Sequence, residues 1–444
     1  MAEIFPFRAW RYDPKRVRLA GAVTQPYDKI TPDMQQRYLA ASRYNFIRVE
    51  KGVAEPGDGE GNNVYTRARA TLEDWIRERV MARDTEPAIY PYFQRYTVPG
   101  TQQRRTRKGF IALGRLEDYD AKVIFRHERT LPAPRADRLE LLRQTRTQTG
   151  LLFLVYSDPE RVSDRILAEA AERDPVAELT DENGVGHRLW ALTDGEKIAA
   201  LAALLGQKPL MIADGHHRYE TALAFRDECR RAAGAAAPDA PYEKAMMALF
   251  NTESEGLTIL PTHRLLAGVP GFDFQQFRRR IEPFFEWYGY PFSGPEERET
   301  ALAEFRHDLE GRGRTRRAIG AYAGGGAFYL FLLRGSVDLD RTLSGVEPEA
   351  LRLDVVLLHR LMIERGLGVT QEQVSAESRV AYEREFEAAL GAVDSGRAQL
   401  ALLLNPPQIQ QIAAAAFAGC VLPEKSTDFY PKLLSGLALY RLDG

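Results

Sequence analysis

Apolar and polar positions alternate along this chain in two rhythms, one of period two and one near 3.6, and the switches between them mark out its elements. Thr31-Pro32-Asp33 is a helix start, with Thr31 as the N-cap and proline in the first turn. YNFIRVE (Tyr44 to Glu50) then has the content of a strand. The acidic, glycine-rich EPGDGEGN (Glu55 to Asn62) is a solvated loop before VYTRARATLEDWIRERVMA, whose Val64, Ala68, Leu72, Trp75 and Ile76 share one helical face. AIYPYFQRYTV and RKGFIALGRLE flank Pro99-Gly100 and predict a hairpin.

From Val123 onward, KVIFRHERTLPAP predicts a strand running into a loop, ADRLELLRQTRTQTG a helix with cations late in it, and LLFLVYS a buried strand. A helix (Pro159 to Arg173), a strand pair around Asn183-Gly184 and a helix containing EKIAALAALLG follow. The strand PLMIAD then delivers the chain into GHHRYETALAFRDECRRAA, which is helical in period. GAAAPDAP (Gly234 to Pro241) is small and featureless, the pattern of a surface connection. The last third predicts a strand at AMMALFNT, a helix at FQQFRRRIEPFFEWY and strands around Gly324-Gly325-Gly326. Helical LDVVLLHRLMIERG, strand-like LALLLN and a closing KSTDFYPKLLSGLALYRL complete it. The fold class is therefore mixed α/β, with no internal repeat.

Composition narrows the function classes. A chain of 444 residues is long enough for two or three packed domains, and 44% hydrophobic with 27% charged residues is a globular balance. Sixty Lys+Arg against 62 Asp+Glu leave a net charge of -2, which argues against bulk attraction to nucleic acid or to a membrane. Cys229 and Cys420 are too few for a disulfide framework or a four-thiolate zinc site. The start lacks a signal-peptide pattern, and the longest uncharged stretch, Ala398 to Pro423, is broken by Asn405, Pro406, Pro407 and glutamines into a strand, a turn and a helix. The expected location is the cytoplasm.

The strongest chemical signal is Asp214-Gly215-His216-His217-Arg218 between an apolar strand and an amphipathic helix. Helix-start N–H groups have no intrahelical partners, so with a small glycine and a nearby arginine they suit a phosphate. Asp214 can cap that helix, or share the phosphate through magnesium or a substrate ammonium or hydroxyl. A second constellation is His127-Glu128 with Thr130, Pro134, Asp137 and Arg138 behind it. Glu128 at a strand end can take a proton from a hydroxyl, with His127 orienting it or contacting phosphate. No permanent metal site is assigned, because adjacent His216 and His217 point in different directions, whereas magnesium accompanying a nucleotide needs only a carboxylate such as Asp214. Asp28 after Pro26-Tyr27 can hold a substrate amine or close an Asx-turn. His263 and Arg264 can reach a cleft, or His263 can be a packing residue. Lys425, Ser426 and Thr427, with Tyr430 and Lys432, offer cations and hydroxyls to phosphate, or form a structural turn. No GxxxxGK[ST], GxGxxG or GxSxG motif is present.

IADGHHRYETAL (Ile212 to Leu223), HERTLPAPRADRL (His127 to Leu139), QPYD (Gln25 to Asp28), LPTHRLL (Leu260 to Leu266) and KSTDFYPKLLSGL (Lys425 to Leu437) together resemble the bacterial and archaeal domain-of-unknown-function 1015 family, over nearly the whole chain. Gln25 stands where that family's PPYD has a proline, and Asp428 where a tyrosine is common. The resemblance implies a ParB/sulfiredoxin-like nucleotide-binding core at 121–233 carrying the HE and DGHHR motifs, with additional α/β regions at 1–120 and 242–444. Within that superfamily the free serine kinases are the nearest activity. Carried over, Gly215, His216, His217 and Arg218 would cradle phosphate with His127 and Thr130 nearby, Asp214 and His217 would act at the reacting centre, and Glu128 would be the base.

The expected function is thus a magnesium- and ATP- or ADP-dependent phosphotransferase acting on the hydroxyl of a small molecule such as free L-serine. Its expected partners are the nucleotide and that substrate, with neither membrane nor nucleic acid, and a homodimer is compatible with the sequence. The alternatives are a ParB-like nucleotide- or DNA-binding regulator, which the charge and the lack of a basic stripe disfavour, and a metal-dependent hydrolase using the histidines.

Overall fold

The computed structural model describes residues 1–128, 130, 132–234, 237–375 and 379–443. Arg129 and Leu131 of the expected strand-to-loop run, and Ala235 and Ala236 of the expected connection, lie outside the described residues. The chain folds as two compact units. The first comprises Met1–Arg126, Thr130–Thr258 and Phe429–Gly444; the second comprises His127–Arg129 and Ile259–Asp428.

The first unit is built on a mixed sheet of nine strands among the described residues. Its order is Ile124–Phe125, Leu210–Asp214, Leu152–Tyr156, Lys244–Asn251, Arg104–Arg115, Tyr90–Thr97, Gly186–Leu189 and Ala177–Thr180, with Ile4–Phe5 also on Arg104–Arg115. Lys244–Asn251 runs parallel to Leu152–Tyr156, and Leu210–Asp214 parallel to Ile124–Phe125; the other pairs are antiparallel. All five residues of Leu152–Tyr156 are buried, as the unbroken apolar run requires of a strand covered on both faces. Phe110, Leu154, Ile212 and Leu249 form its core with Leu201 and Leu205 from the helix Gly195–Leu205 and Tyr219 from the helix His216–Ala233.

Local chemistry sets several boundaries. Thr31 Oγ1 accepts from Met34 N–H at 3.3 Å and starts the helix Pro32–Ala41 as expected. The expected strand Tyr44 to Glu50 is instead a helical turn, Ile47–Glu50. Asn45 Oδ1 accepts from Ile47 N–H at 2.9 Å while its Nδ2 donates to Gly21 O at 2.8 Å, so the side chain caps the turn and Ile47 and Val49 are buried by it. The helix after Asn63 stops at Arg77, earlier than its pattern: Arg79 takes φ 56 and Val80 N–H returns to Trp75 O. Met81–Arg83 then pairs with Trp10–Tyr12.

The second unit carries a six-stranded antiparallel sheet in the order Phe285–Pro291, Ala327–Leu333, Ala318–Tyr322, Leu400–Leu404, His263–Leu266, Val380–Glu383. Phe305 and Leu309 of the helix Pro295–Gly313 and Ala389 and Leu390 of Phe386–Asp394 pack on Leu330, Leu332 and Leu403. The expected helix FQQFRRRIEPFFEWY divides: Phe274–Ile281 is helical, Pro283 cannot continue it, and Phe285 begins a strand. Leu358–Gly366 is wound as a π-helix following the helical turn Asp354–Leu357. Among the described residues no helix is long and apolar enough to cross a membrane.

Candidate functional site

In the first unit, the strand Leu210–Asp214 buries Leu210 to Ala213 and ends at Gly215, whose φ of 97 is a left-handed conformation natural to glycine. Pairing with Leu152–Tyr156 shifts register between Ile212 and Asp214, which re-aims the strand's last residues. Gly215 is the N-cap of His216–Ala233 and offers no side-chain cap. The expectation that Asp214 caps this helix is corrected, because its carboxylate is committed to cations: Arg218 Nη2 lies 3.3 Å from Oδ2 and Lys432 Nζ lies 3.7 Å from Oδ1. Burial would raise the Asp214 pKa, but Lys432, Arg218, Lys29 and His216 together hold the carboxyl well below the usual carboxylate range.

Arg218 is fixed from the other side, its Nη1 donating to Leu151 O. Burial opposes its charge, yet Asp214, Asp28 and Tyr27 raise its pKa on balance. Asp28 lies in the turn Tyr27–Lys29, so the QPYD and DGHHR segments share one electrostatic environment. Burial and Asp28 push the Tyr27 hydroxyl up to about 12, and the Arg138 guanidinium sits 4.4 Å from the Tyr27 ring. Arg138 also donates to Glu50 O at 2.8 Å, and Glu50 Oε1 accepts from Ser435 Oγ at 3.1 Å. Lys29, Arg107, Arg138, Arg218 and Lys432 therefore outnumber Asp28, Glu50, Asp214 and Asp137, the last paired with Arg138 at 2.6 Å. Such an arrangement is suited to phosphate oxygens.

The segment that brings Lys432 is stapled by Arg107. This buried guanidinium donates to Gln94 Oε1 at 3.0 Å from Nε, to Tyr430 O at 3.3 Å and to Pro431 O, and lies 4.5 and 4.7 Å from the rings of Phe153 and Phe250. Gln94 Nε2 in turn donates to Lys432 O at 2.9 Å. Burial brings Arg107 down to about 10. Arg107, Lys29 and Glu50 were not among the candidate residues of the sequence, whereas Arg138 and Lys432 were named there beside other candidates, His127-Glu128 and Lys425 to Thr427, and not beside Asp214. Arg107 had a signal, a long cation on a strand face that alternation makes internal.

His216 is buried and His217 half-buried, the divergence that adjacent helical positions dictate. Among the described residues no group of three or more His, Cys, Asp or Glu is arranged to hold a metal ion. Thr130 donates to Glu220 Oε2 at 2.5 Å, where Arg126 and Arg135 also meet that carboxylate. Gln25 donates to Asp181 Oδ2 at 3.1 Å, beside buried His187.

In the second unit the remaining candidates form a cluster of their own. Glu128 Oε1 accepts from Lys425 N–H at 3.0 Å, and Lys425 holds a left-handed φ of 54 with its side chain exposed. Leu422 N–H donates to His127 O at 2.8 Å, and buried His127 Nε2 is hydrogen-bonded to Thr427 Oγ1 at 2.9 Å. Ser426 Oγ donates to Pro423 O. Arg264 braces the same turn from beneath, donating to Glu424 O at 3.0 Å, Lys425 O at 3.2 Å, Thr262 O at 2.5 Å and His359 Nε2 at 3.2 Å. Burial lowers Arg264 to about 10, and burial with Arg264 nearby holds His359 below its usual range, leaving its ring neutral and able to accept. His263 is 1% exposed, takes Leu404 N–H at 3.2 Å, and meets Phe386 edge-on at 5.4 Å. Burial brings its pKa down to about 4, the behaviour of a neutral packing residue.

A family model described as "Protein of unknown function (DUF1015)" matches residues 4–356. No curated protein matches the chain. Among solved structures, the chain is similar to a conserved hypothetical protein from Pyrococcus furiosus at 13% identity and a TM-score of 0.32, covering 69% of this chain and 87% of that one. It is similar to free serine kinase in complex with AMP at 13% identity and 0.32, covering 69% and 83%. It is also similar to SbnI with a C-terminal truncation from Staphylococcus aureus at 12% identity and 0.34, covering 73% and 85%.

Proposed function

The chain belongs to the domain-of-unknown-function 1015 family, and from that premise we propose that it is a nucleotide-dependent phosphotransferase acting on the hydroxyl of a small molecule. The observation that carries the reading is the Asp214 carboxylate, held ionised between Arg218 and Lys432 beneath the Gly215 turn. A carboxylate so placed sets two cations in fixed positions, ready for phosphate oxygens without reorganisation. Helix N–H groups at the same turn add partial positive charge.

In this reading Arg218, Lys432 and the turn at Gly215, His216 and His217 stabilise charge on the transferred phosphoryl group. The acceptor hydroxyl attacks phosphorus, the bond to the leaving nucleotide breaks, and the hydroxyl proton passes to a carboxylate. Glu128 is assigned that proton on the resemblance; one of its oxygens accepts from the Lys425 N–H. Magnesium, brought with the nucleotide, would supply further positive charge for the phosphates. Asp214, already facing two cations, suits the ordering of those cations better than metal coordination, and no step is assigned to the ion. Free L-serine is the acceptor that the resemblance implies.

Phosphorus NMR of the purified chain with magnesium, ADP or ATP and a pool of free amino acids including L-serine tests this. The expected result is a new phosphomonoester signal that disappears in His217→Ala and is assigned by leaving out one amino acid at a time. No new signal with any donor and acceptor, nucleotide binding notwithstanding, would overturn transfer to a free amino acid.

A further inference from the structure

We infer that a cavity of about 560 Å3 within the second unit is a further anion site, taking a small phosphorylated molecule that also carries a hydrogen-bond donor. The volume lies inside the roughly 300–1,000 Å3 range of small-molecule pockets. Arginines reach it from three separate places in the fold: Arg264 from the strand His263–Leu266, Arg334 from just past the strand Ala327–Leu333, and Arg314, Arg316 and Arg317 from the connection after the helix Pro295–Gly313. Cations after a helix C-terminus offset its dipole, which accounts for Arg314 as ordinary surface chemistry. That explanation does not extend to Arg334 or Arg264, which arrive from other strands.

Donors remain for a ligand. Arg264 is spent on carbonyls, and Arg316 on Glu286 and Leu333 O. Arg334 shows a bond only from Nε, to Glu282 O at 3.0 Å, and Arg317 Nε stands 3.8 Å from Asp354. Each guanidinium carries five N–H groups in a fork that matches phosphate. Asp354 is the sole carboxylate among the described lining residues, and its buried Oδ1 takes no hydrogen bond. A buried acceptor without a donor is costly, so a ligand hydroxyl or amine there would supply what the protein does not. None of the residues at the Asp214 turn lines this cavity, and the inference stands apart from phosphotransfer.

Calorimetric titration of the full chain with inorganic pyrophosphate decides it, using the parent, an Arg317→Gln/Arg334→Gln double variant, the exposed Arg314→Gln, and Arg218→Ala. The expected parent shows two sites, of which the double variant loses one or weakens it about tenfold or more, as removal of charge-assisted hydrogen bonds implies. Arg314→Gln weakens the same site without risk to the fold, and Arg218→Ala spares it. Equal binding by the parent, Arg314→Gln and a double variant with unchanged circular dichroism would overturn the inference, as would loss of all binding in Arg218→Ala. A single parental site that only the cavity variants remove would support this inference while removing the phosphate role of the Asp214 turn.

Discussion

Lys432 Nζ lies 3.7 Å from Asp214 Oδ1, so a cation from the C-terminal segment and the carboxylate ending the strand Leu210–Asp214 act as one electrostatic unit. Arg218 completes it on the other oxygen. The pair explains why Asp214 stays ionised although burial alone would raise its pKa.

Asp214→Asn tests that unit. Breaking a buried ion pair costs about 3–5 kcal/mol; with the Asp214 side chain 22% exposed, about 2 kcal/mol is expected at neutral pH. The folded carboxyl is depressed below its ordinary 3.8, so its contribution is complete above about pH 4 and is lost as pH falls toward the folded value. Urea unfolding should therefore show a flatter acid limb for Asp214→Asn than for the parent. Parallel limbs would mean that Lys432 and Arg218 do not set the Asp214 charge.

Gly215→Ala addresses the turn itself. A non-glycine residue at left-handed φ costs about 1–2 kcal/mol, and the added Cβ would stand 3.2 Å from the Arg218 guanidinium carbon. Both stability and ADP affinity should fall, the second because Arg218 is displaced. An alanine variant with unchanged melting temperature and unchanged ADP titration would show that the turn tolerates a side chain and does not place Arg218 for binding.

The DGHHR turn was legible in the sequence because its parts are contiguous: an apolar strand, a glycine and a helix start, each decided by local chemistry. Arg107 was hidden because it reaches the site through the strand Arg104–Arg115, and Lys432, a phosphate candidate in its own segment, could not be set beside Asp214 because Gln94 and Arg107 fasten that segment from far along the chain. Tyr44 to Glu50 misled in the opposite way, since a capped, buried turn and a short strand have the same apolar content, and only the bonds of Asn45 separate them. Mixed α/β class was readable from the alternating periods, whereas the sheet neighbours Lys244–Asn251 and Arg104–Arg115 are set by pairing no local pattern announces.

Arg107→Lys keeps the charge but loses the planar fork that reaches Gln94, Tyr430 and Pro431 together. A destabilisation of about 3 kcal/mol is expected, because buried acceptors are left unsatisfied. Hydrogen exchange should quicken selectively in Phe429–Ser435, and nucleotide affinity should drop with it. Faster exchange spread evenly through the unit would show general destabilisation and no special tie to Lys432.

Asp354 carries the opposite pH sign to Asp214. Burial pushes its carboxyl up to about 7 despite Arg317, so the folded unit prefers it protonated and loses stability as pH rises from about 4 through 7. Asp354→Asn should match the parent at pH 3, where both states are protonated, and exceed it at pH 8 by about 1–2 kcal/mol in urea unfolding, after discounting for its partial exposure. Equal stability at both pH values would mean that the carboxyl is charged without penalty in the fold.

Glu128→Gln separates chemistry from binding. Glutamine retains the oxygen that accepts from Lys425 N–H and so preserves the turn, while removing the capacity to take a proton. General-base catalysis contributes about 10²–10⁴ in rate, and a loss of that size is expected with nucleotide affinity unchanged. His127 and Thr427 hold the same segment, so Thr427→Val should lower turnover less and should loosen the turn detectably by hydrogen exchange. If Glu128→Gln turns over at the parental rate, Glu128 is a fastener of the Lys425 turn alone and the proton acceptor lies elsewhere. If it instead fails to bind nucleotide, the carboxylate is part of the binding surface and the division between phosphate cradle and base must be redrawn.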